Sequence, residues 1–523
     1  MGTFEQMVAM QLDKILSSDG FSSAPHLRQF LSYIVNTYIQ NKSGKIDAYN
    51  IATQALDRPD DFAPDLDPIV RVQAAKLRQR LNLYNASMGA KDFIQITLPK
   101  GGYVPVIEYK RSGFNDERDP ASLDDISVID HNSSVLPTIF VEKFDCDGTL
   151  YFQTLSENMK TDLVLTLNRF DAINVIPSNG ESNNYSTLSG NYVYRLYGHC
   201  RLEDDKVDVD VFLVNVRSGI CIYSKKFMLC TDQDLAAAKT WIISEISSSI
   251  AEISGVIFKD VDEQYSANGL SKFDAIGLIV QSYKYADHPN ETGFELAKSD
   301  IKKALKLSPN MILALCRLSF TYLDGYRFLF GGVDRSREYL PQTITNVIRA
   351  KELSPSSSMV NLLQSDVLFL SGKIEEAIKA GEFAIAQNPE NHVIAAIHGF
   401  RRAMFGDWEG GLKYVRNAAS LGYYLPNRYL LIELYHSVFI GDYESAMEYS
   451  ELVKLPDFFM YHVYVAGLHD QLGNVHESKK AFEMSLKLRP GLSMDEIWEI
   501  NIRASTKEFA EATRKLIKNV GYA

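Results

Sequence analysis

A glycine returns every 32 to 35 residues along the second half of this 523-residue chain, at Gly372, Gly406, Gly441 and Gly473. Prolines keep nearly the same beat at Pro355, Pro389, Pro426, Pro456 and Pro490, with intervals of 34, 37, 30 and 34. Helical sequence with a small residue in mid-hairpin and a proline closing each unit reads as a series of helix–turn–helix repeats. One such hairpin cannot bury its apolar face alone, so neighbours must stack into a solenoid. Residues 261–523 are therefore expected to form an all-α array, most clearly over Asp366–Pro389. The 46 residues from Pro309 to Pro355 imply an insertion, and 316–345 fits the repeat poorly.

A chain of this length exceeds one hydrophobic core, so two to four domains are expected. The net charge of -12 argues at first against a nucleic-acid partner, but the charge is unevenly spread. Residues 1–110 carry 12 Lys/Arg and 11 Asp/Glu, whereas within 71–100 Arg71, Lys76, Arg78, Arg80, Lys91 and Lys100 face the single acid Asp92. That segregation marks a local anion-binding patch on an acidic molecule. The five cysteines contain no C-x-x-C pair and read as reduced, mostly buried thiols. No signal sequence opens the chain and no uninterrupted apolar run reaches the ~18–20 residues needed to cross a bilayer. The most apolar late stretch, Trp241–Ile257, is broken by five serines and two glutamates. A cytoplasmic protein with no membrane partner is expected.

Residues 24–110 read as helix, helix, helix, hairpin. Leu27, Phe30, Leu31, Ile34, Val35, Tyr38 and Ile39 form one wide stripe at helical spacing. A short helix follows over Ala48–Leu56, then a Pro/Asp-rich turn over Arg58–Pro68. A third helix, from Ile69 to about Ala86, turns Val70, Ala74, Leu77, Leu81 and Tyr84 to the core. Two β runs, Phe93–Leu98 and Tyr103–Tyr109, flank a turn at Pro99–Gly102. Polar residues 111–135 read as a linker. Residues 136–260 alternate β and α: a strand at Thr138–Val141, a helix at Gln153–Asn168 and a strand at Ala172–Ile176. Three strands follow over Tyr192–Leu229, with turns at Asp204-Asp205 and Arg217–Gly219, and then a helix over Asp232–Ile257. A short helix is expected at Asn183–Ser189.

Three resemblances sit on these segments. Val70, Val72, Leu77, Arg78, Arg80 and Leu81, followed by Lys100-Gly101-Gly102-Tyr103, resemble the winged helix-turn-helix DNA-binding domain of OmpR/PhoB-type regulators over roughly 90 residues. Pro99-Lys100-Gly101-Gly102 departs from that family's hairpin sequence, and no receiver domain precedes it, so aspartyl phosphorylation is not implied. Pro137–Asn179 and Tyr197–Leu202 resemble the N-terminal domain of TolB-like proteins. The ~34-residue period is similar to tetratricopeptide (TPR) repeats. The three together resemble bacterial transcription activators of the HilA/CadC kind, without the membrane span of the latter. The implied fold is multidomain α and α/β: winged helix (1–110), linker (111–135), small TolB-like α/β domain (136–260) and TPR-type solenoid (261–523).

The resemblance implies that the third helix enters a major groove of double-stranded DNA. Gln73, Lys76 and Arg80 share one flank and are expected at base edges, while Arg71 and Arg78 on the other flank suit phosphates. Lys100 at the hairpin tip is expected to reach a phosphate or the minor groove, with Gly101 and Tyr103 completing the motif. The search for catalysis is negative: there is no G-x-x-x-x-G-K-[ST] loop, H-E-x-x-H or G-x-S-x-G. No enzyme activity, cofactor or metal is expected. His199 and Cys200 are strand neighbours on opposite faces, His469 and His476 read as surface or packing residues, and Phe458, Phe459, Tyr461 and Tyr464 as packing between hairpins. The reading is a sequence-specific transcription regulator whose C-terminal domains sense a ligand, or a protein or peptide partner; a homodimer stays open. The alternative is an interaction scaffold whose winged helix binds protein.

Overall fold

A computed structural model describes residues 4–520 apart from 23, 41–45, 60–61, 63–66, 87, 90–93, 100–101, 110–135, 147–149, 179–191, 204–205, 231–234, 268–273 and 421–424. The chain divides into two compact units, one of Met1–Asp124 and one holding Asp125–Phe369 and Lys373–Ala523. The linker expected at 111–135, the helix at Asn183–Ser189 and the turn at Asp204-Asp205 lie outside the described residues.

The first unit contains α1 (Phe4–Leu16), α2 (Asp19–Ser22), α3 (Pro25–Ile39), α4 (Ala48–Ala55), α5 (Ile69–Ala86), β1 (Ile94–Thr97) and β2 (Val106–Tyr109). Pro25 begins α3 at a position where its missing N–H costs nothing. Asp47 caps α4 by accepting the Asn50 N–H at 2.8 Å, and Asp67 accepts the Ile69 N–H at 2.9 Å where α5 starts. The hairpin is antiparallel, with Ile94 opposite Tyr109 and Thr97 opposite Val106. All five residues expected on the core side of α5 are buried. The two helices ahead of residue 24 are additions to the expected arrangement: Val8, Leu12, Ile15 and Phe21 lie in the same core as Phe30, Leu31 and Leu77.

The second unit begins with a mixed sheet. Its strands are β3 (Thr138–Val141), β4 (Asp145–Cys146), β5 (Asn174–Pro177), β6 (Val193–Glu203), β7 (Lys206–Asn215) and β8 (Cys221–Cys230). The order is β5-β3-β6-β7-β8, with β4 also paired to β6; the first pairs are parallel and the β6-β7-β8 meander antiparallel. Val207, Val209, Val211 and Leu213 alternate into the core, the period-two signature of a sheet covered on one face. On the other face Lys226 pairs with Asp208 at 2.6 Å and Arg195 with Glu142 at 2.8 Å.

Helix α6 (Leu150–Leu167) lies between β4 and β5, and α7 (Leu235–Ala251) and α8 (Val256–Ala267) follow the meander. The single helix expected over Asp232–Ile257 is broken at Gly255, where an added Cβ would come within 2.8 Å of the Ser249 and Glu252 carbonyls. The expected boundary at residue 260 falls inside α8. There Asp260 accepts the Tyr194 hydroxyl at 2.7 Å and the Asn215 amide at 2.9 Å, tying the helix to the sheet. By length and composition alone Ala237–Ala267 is apolar enough to span a membrane, and 61% of its most apolar stretch is buried within the protein.

The helical array pairs α9 (Ala275–Asp287) with α10 (Glu291–Leu307), then α11 (Ile312–Arg327) with α13 (Tyr339–Leu353), the short α12 (Val333–Arg337) intervening. Five further hairpins follow: α14/α15 (Ser358–Leu370, Ile374–Gln387), α16/α17 (His392–Met404, Trp408–Ser420), α18/α19 (Asn427–Ile440, Tyr443–Leu452), α20/α21 (Phe459–Gln471, Val475–Leu488) and α22/α23 (Met494–Ala504, Lys507–Leu516). Gly372, Gly406, Gly441 and Gly473 all take positive φ between 73° and 111° at the hairpin turns, a conformation that favours glycine over any residue with a Cβ. The insertion expected between Pro309 and Pro355 is the α12 segment.

One helix of the array, α11, is packed on all sides. Fourteen of its residues are buried, covering every side of the helix. Arg317 donates to the Ser282 carbonyl of α9 at 2.6 Å, Asp324 pairs with Arg428 of α18 at 2.9 Å, Arg327 with Asp366 of α14, and the Tyr326 carbonyl accepts from Arg503 of α22 at 3.0 Å. The array thus encloses one of its own helices.

Candidate nucleic-acid interface

The site is built on α5, whose sequence places an apolar residue at positions 70, 74, 77, 81 and 84 and anchors the helix by that stripe. Burial of the stripe fixes which residues look outward. At 100° per residue the outward row is Val72, Ala75, Lys76, Gln79 and Leu83, all exposed. Arg71 and Asn82 flank it on one side; Gln73 and Arg80, both half-buried, flank it on the other. Lys76 lies where the sequence suggested. Gln79, Val72 and Ala75 were not among the expected contacts, and the helical angle measured from the buried stripe is the signal that finds them.

Two of the expected phosphate and base contacts are engaged within the protein. The Arg78 Nε donates to the carbonyls of Leu98 at 3.2 Å and Pro99 at 3.0 Å, and its Nη2 to the Gly102 carbonyl at 2.8 Å. One guanidinium therefore grips both sides of the hairpin turn. Arg80 donates through Nη1 to the Gly20 carbonyl of α2. Asn85 adds a buried bond from its side-chain amide to the Ile96 carbonyl at 3.0 Å. The hairpin is thus fastened to α5 by polar bonds as well as by apolar packing. Tyr103 packs half-buried against the core. Lys100 and Gly101 lie outside the described residues. The freely presented polar side chains on this face are Arg71, Lys76, Gln79 and Asn82.

The residues singled out elsewhere are structural. His199 is part-exposed, 3.6 Å from Asp145, while Cys200 on the opposite face is buried, in register with Cys146. Phe458, Phe459 and Tyr464 are buried between hairpins, and the Tyr464 hydroxyl donates to Asn501 at 2.7 Å. His469 is half-buried and His476 exposed on consecutive helices. Among the described residues no three His, Cys, Asp or Glu side chains are grouped to hold a metal ion. No protein-family model and no curated protein matches the chain.

Proposed function

We propose that the protein is a sequence-specific regulator of transcription that binds double-stranded DNA through the first unit, read as a winged helix-turn-helix, with α5 in the major groove. The observation that carries the reading is the outward face of α5. It presents Lys76 and Gln79 centrally with Arg71 at its edge, in a segment with five surplus positive charges, beside a hairpin clamped to the same helix. Amide and cationic side chains of this length reach base edges in a major groove, and cations at the rim meet phosphates. The second unit, read as a TolB-like domain followed by TPR-type repeats, is the input side; its share of the chain's negative charge opposes direct contact with a phosphate backbone. A second reading, that the α5 face binds protein, is favoured by exposed Val72 and Leu83, at 45% and 62% of their surface.

Salt separates the two. Binding of the full chain to a random-sequence duplex is expected to weaken linearly on a log–log plot, with a slope near -0.9 for each phosphate neutralised. Absence of binding at low salt, or binding indifferent to salt, removes the DNA reading and leaves the protein-binding one.

A further inference from the structure

Where the sheet part of the second unit meets the helical array lies a cavity of about 420 Å³, within the size range of small-molecule sites. Its walls are mainly apolar: Phe170 and Phe258 come from the sheet part, and Val280, Leu313, Phe320 and Ile397 from the helices. Both parts are needed to build it. The junction is held by polar bonds around the cavity: Ser357 to Asp171 at 2.7 Å, the Asn388 amide to the Arg169 carbonyl at 3.0 Å, and the His392 N–H to Glu252 at 3.0 Å.

The charged residues at the wall do not balance. Asp262 is taken by Lys284 at 3.1 Å, and Arg428 by Asp324 at 2.9 Å. Asp171 accepts from the Ser357 hydroxyl, and burial pushes its carboxyl up; among the described residues it is the one acid of the wall to set against the cations left over. Glu252 is almost wholly enclosed, and burial pushes its carboxyl up to about 8, so it is largely neutral at pH 7. Two cations remain. Arg317 is buried, hydrogen-bonded among the described residues to the neutral Ser282 and stacked on the Tyr283 ring at 4.3 Å. Lys259 is exposed at the rim and forms no ion pair among the described residues. The N-terminus of α18, whose cap Pro426 makes no side-chain bond, also borders the cavity and adds partial positive charge. A largely apolar chamber with surplus positive charge selects an amphipathic anion.

We propose that this cavity binds a small monocarboxylic acid with an apolar body, the carboxylate meeting Arg317 and Lys259. The inference extends the reading of the second unit as an input module. It is tested by direct binding with no DNA present, so its failure and the failure of the salt titration are separate results.

The probes are 4-phenylbutyrate and octanoate, with 4-phenylbutanamide and 4-phenylbutylamine as neutral and cationic controls, titrated calorimetrically into the full chain. Both acids are expected to bind with a Kd below about 1 mM and to raise Tm, the amide to bind about tenfold more weakly, and the amine not at all. Lys259→Ala is expected to weaken the acids several-fold and leave the amide unchanged. Val393→Trp and Val280→Phe, from two different helices, fill the chamber and are expected to abolish binding while far-UV circular dichroism is retained. Neither acid binding, an amide or amine equal to the acids, or undiminished acid binding by whichever filled variant keeps its fold overturns the proposal.

Discussion

Helices α5 and α11 are of similar length and each carries arginines, yet they use charge in opposite ways. In α5 one stripe is buried and the opposite face offers Arg71, Lys76 and Gln79 to solvent. In α11 Arg327 points into the protein, where it is 1% exposed and pairs with Asp366 of a neighbouring repeat. An exposed ion pair contributes little to stability and its members stay free for a partner, whereas a buried charge is committed to the partners around it. The same residue type therefore reads as recognition in one helix and as architecture in the other, and burial decides which.

The comparison breaks most readily at Asp366. This carboxylate sits between Arg327 and Arg401, the latter at 3.2 Å, with Asp366 and Arg327 each 1% exposed. Burial alone would push its carboxyl up, but the two guanidinium groups outweigh that and hold it below the usual range. Asp366→Ala removes the anion that pairs with both guanidinium groups and leaves Arg327 and Arg401 without it, so a loss of about 3–5 kcal/mol is expected in urea unfolding. A loss below about 1 kcal/mol would mean that the arginines of the array are as dispensable as surface ones.

Glu252 tests the same principle with a lone acid. Burial raises its carboxyl from 4.5 to about 8. Its contribution to stability is therefore complete below about pH 4.5 and is lost as pH rises toward 8, the folded protein holding a proton that the unfolded chain releases. His398 works in the other direction: burial lowers it to about 4, so its contribution is lost as pH falls from 6.5 toward 4. Above pH 6.5 the His398 effect is nearly spent, and the Glu252 effect is read there as the difference between variant and parent. Glu252→Gln keeps an acceptor for the His392 N–H and removes the titration. Relative to the parent it is expected to gain about 1.5 kcal/mol between pH 6.5 and pH 8, read from melts at pH 6.5, 7.2 and 8. Parallel pH profiles for parent and variant would place Glu252 in contact with water.

Much of this contrast was legible in the sequence on the α5 side. The stripe Val70, Ala74, Leu77, Leu81 and Tyr84 is a local pattern, and the structure buries each member. The four hairpin glycines were legible for the same reason, since each turn asks for positive φ at one fixed place. Helix α1 carries a readable spacing in Val8, Leu12 and Ile15, ahead of the pattern that starts at residue 24. What no local pattern holds is the partner of a long polar side chain. Arg78 meets carbonyls 20 to 24 residues away, and Arg327 meets an aspartate 39 residues away. Each reads as a surface cation until the chain is folded. The enclosure of α11 was hidden likewise, because burial on all sides depends on the curvature of the whole array. The bend at Gly255 was foreshadowed only by the pair Ser254-Gly255.

Arg78 gives the smallest expected effect and the most direct discrimination between the two uses of charge. Read from sequence it is a phosphate contact; in the folded unit its Nε and Nη2 serve the carbonyls of Leu98, Pro99 and Gly102. Arg78→Met keeps the apolar stem and deletes those bonds. The carbonyls lie near solvent and regain water, so the cost is expected to be about 1 kcal/mol, seen as a small fall in the midpoint of the first unit's melting. With the hairpin loosened, affinity for all duplexes should decline slightly while the salt slope keeps its value, because no phosphate contact has been lost. Arg71→Ala is the matched control: melting unchanged and the slope shallower by about one. If Arg78→Met lowers melting and also reduces the slope by about one, its guanidinium leaves the hairpin for the DNA backbone on binding, and the clamp belongs only to the free protein.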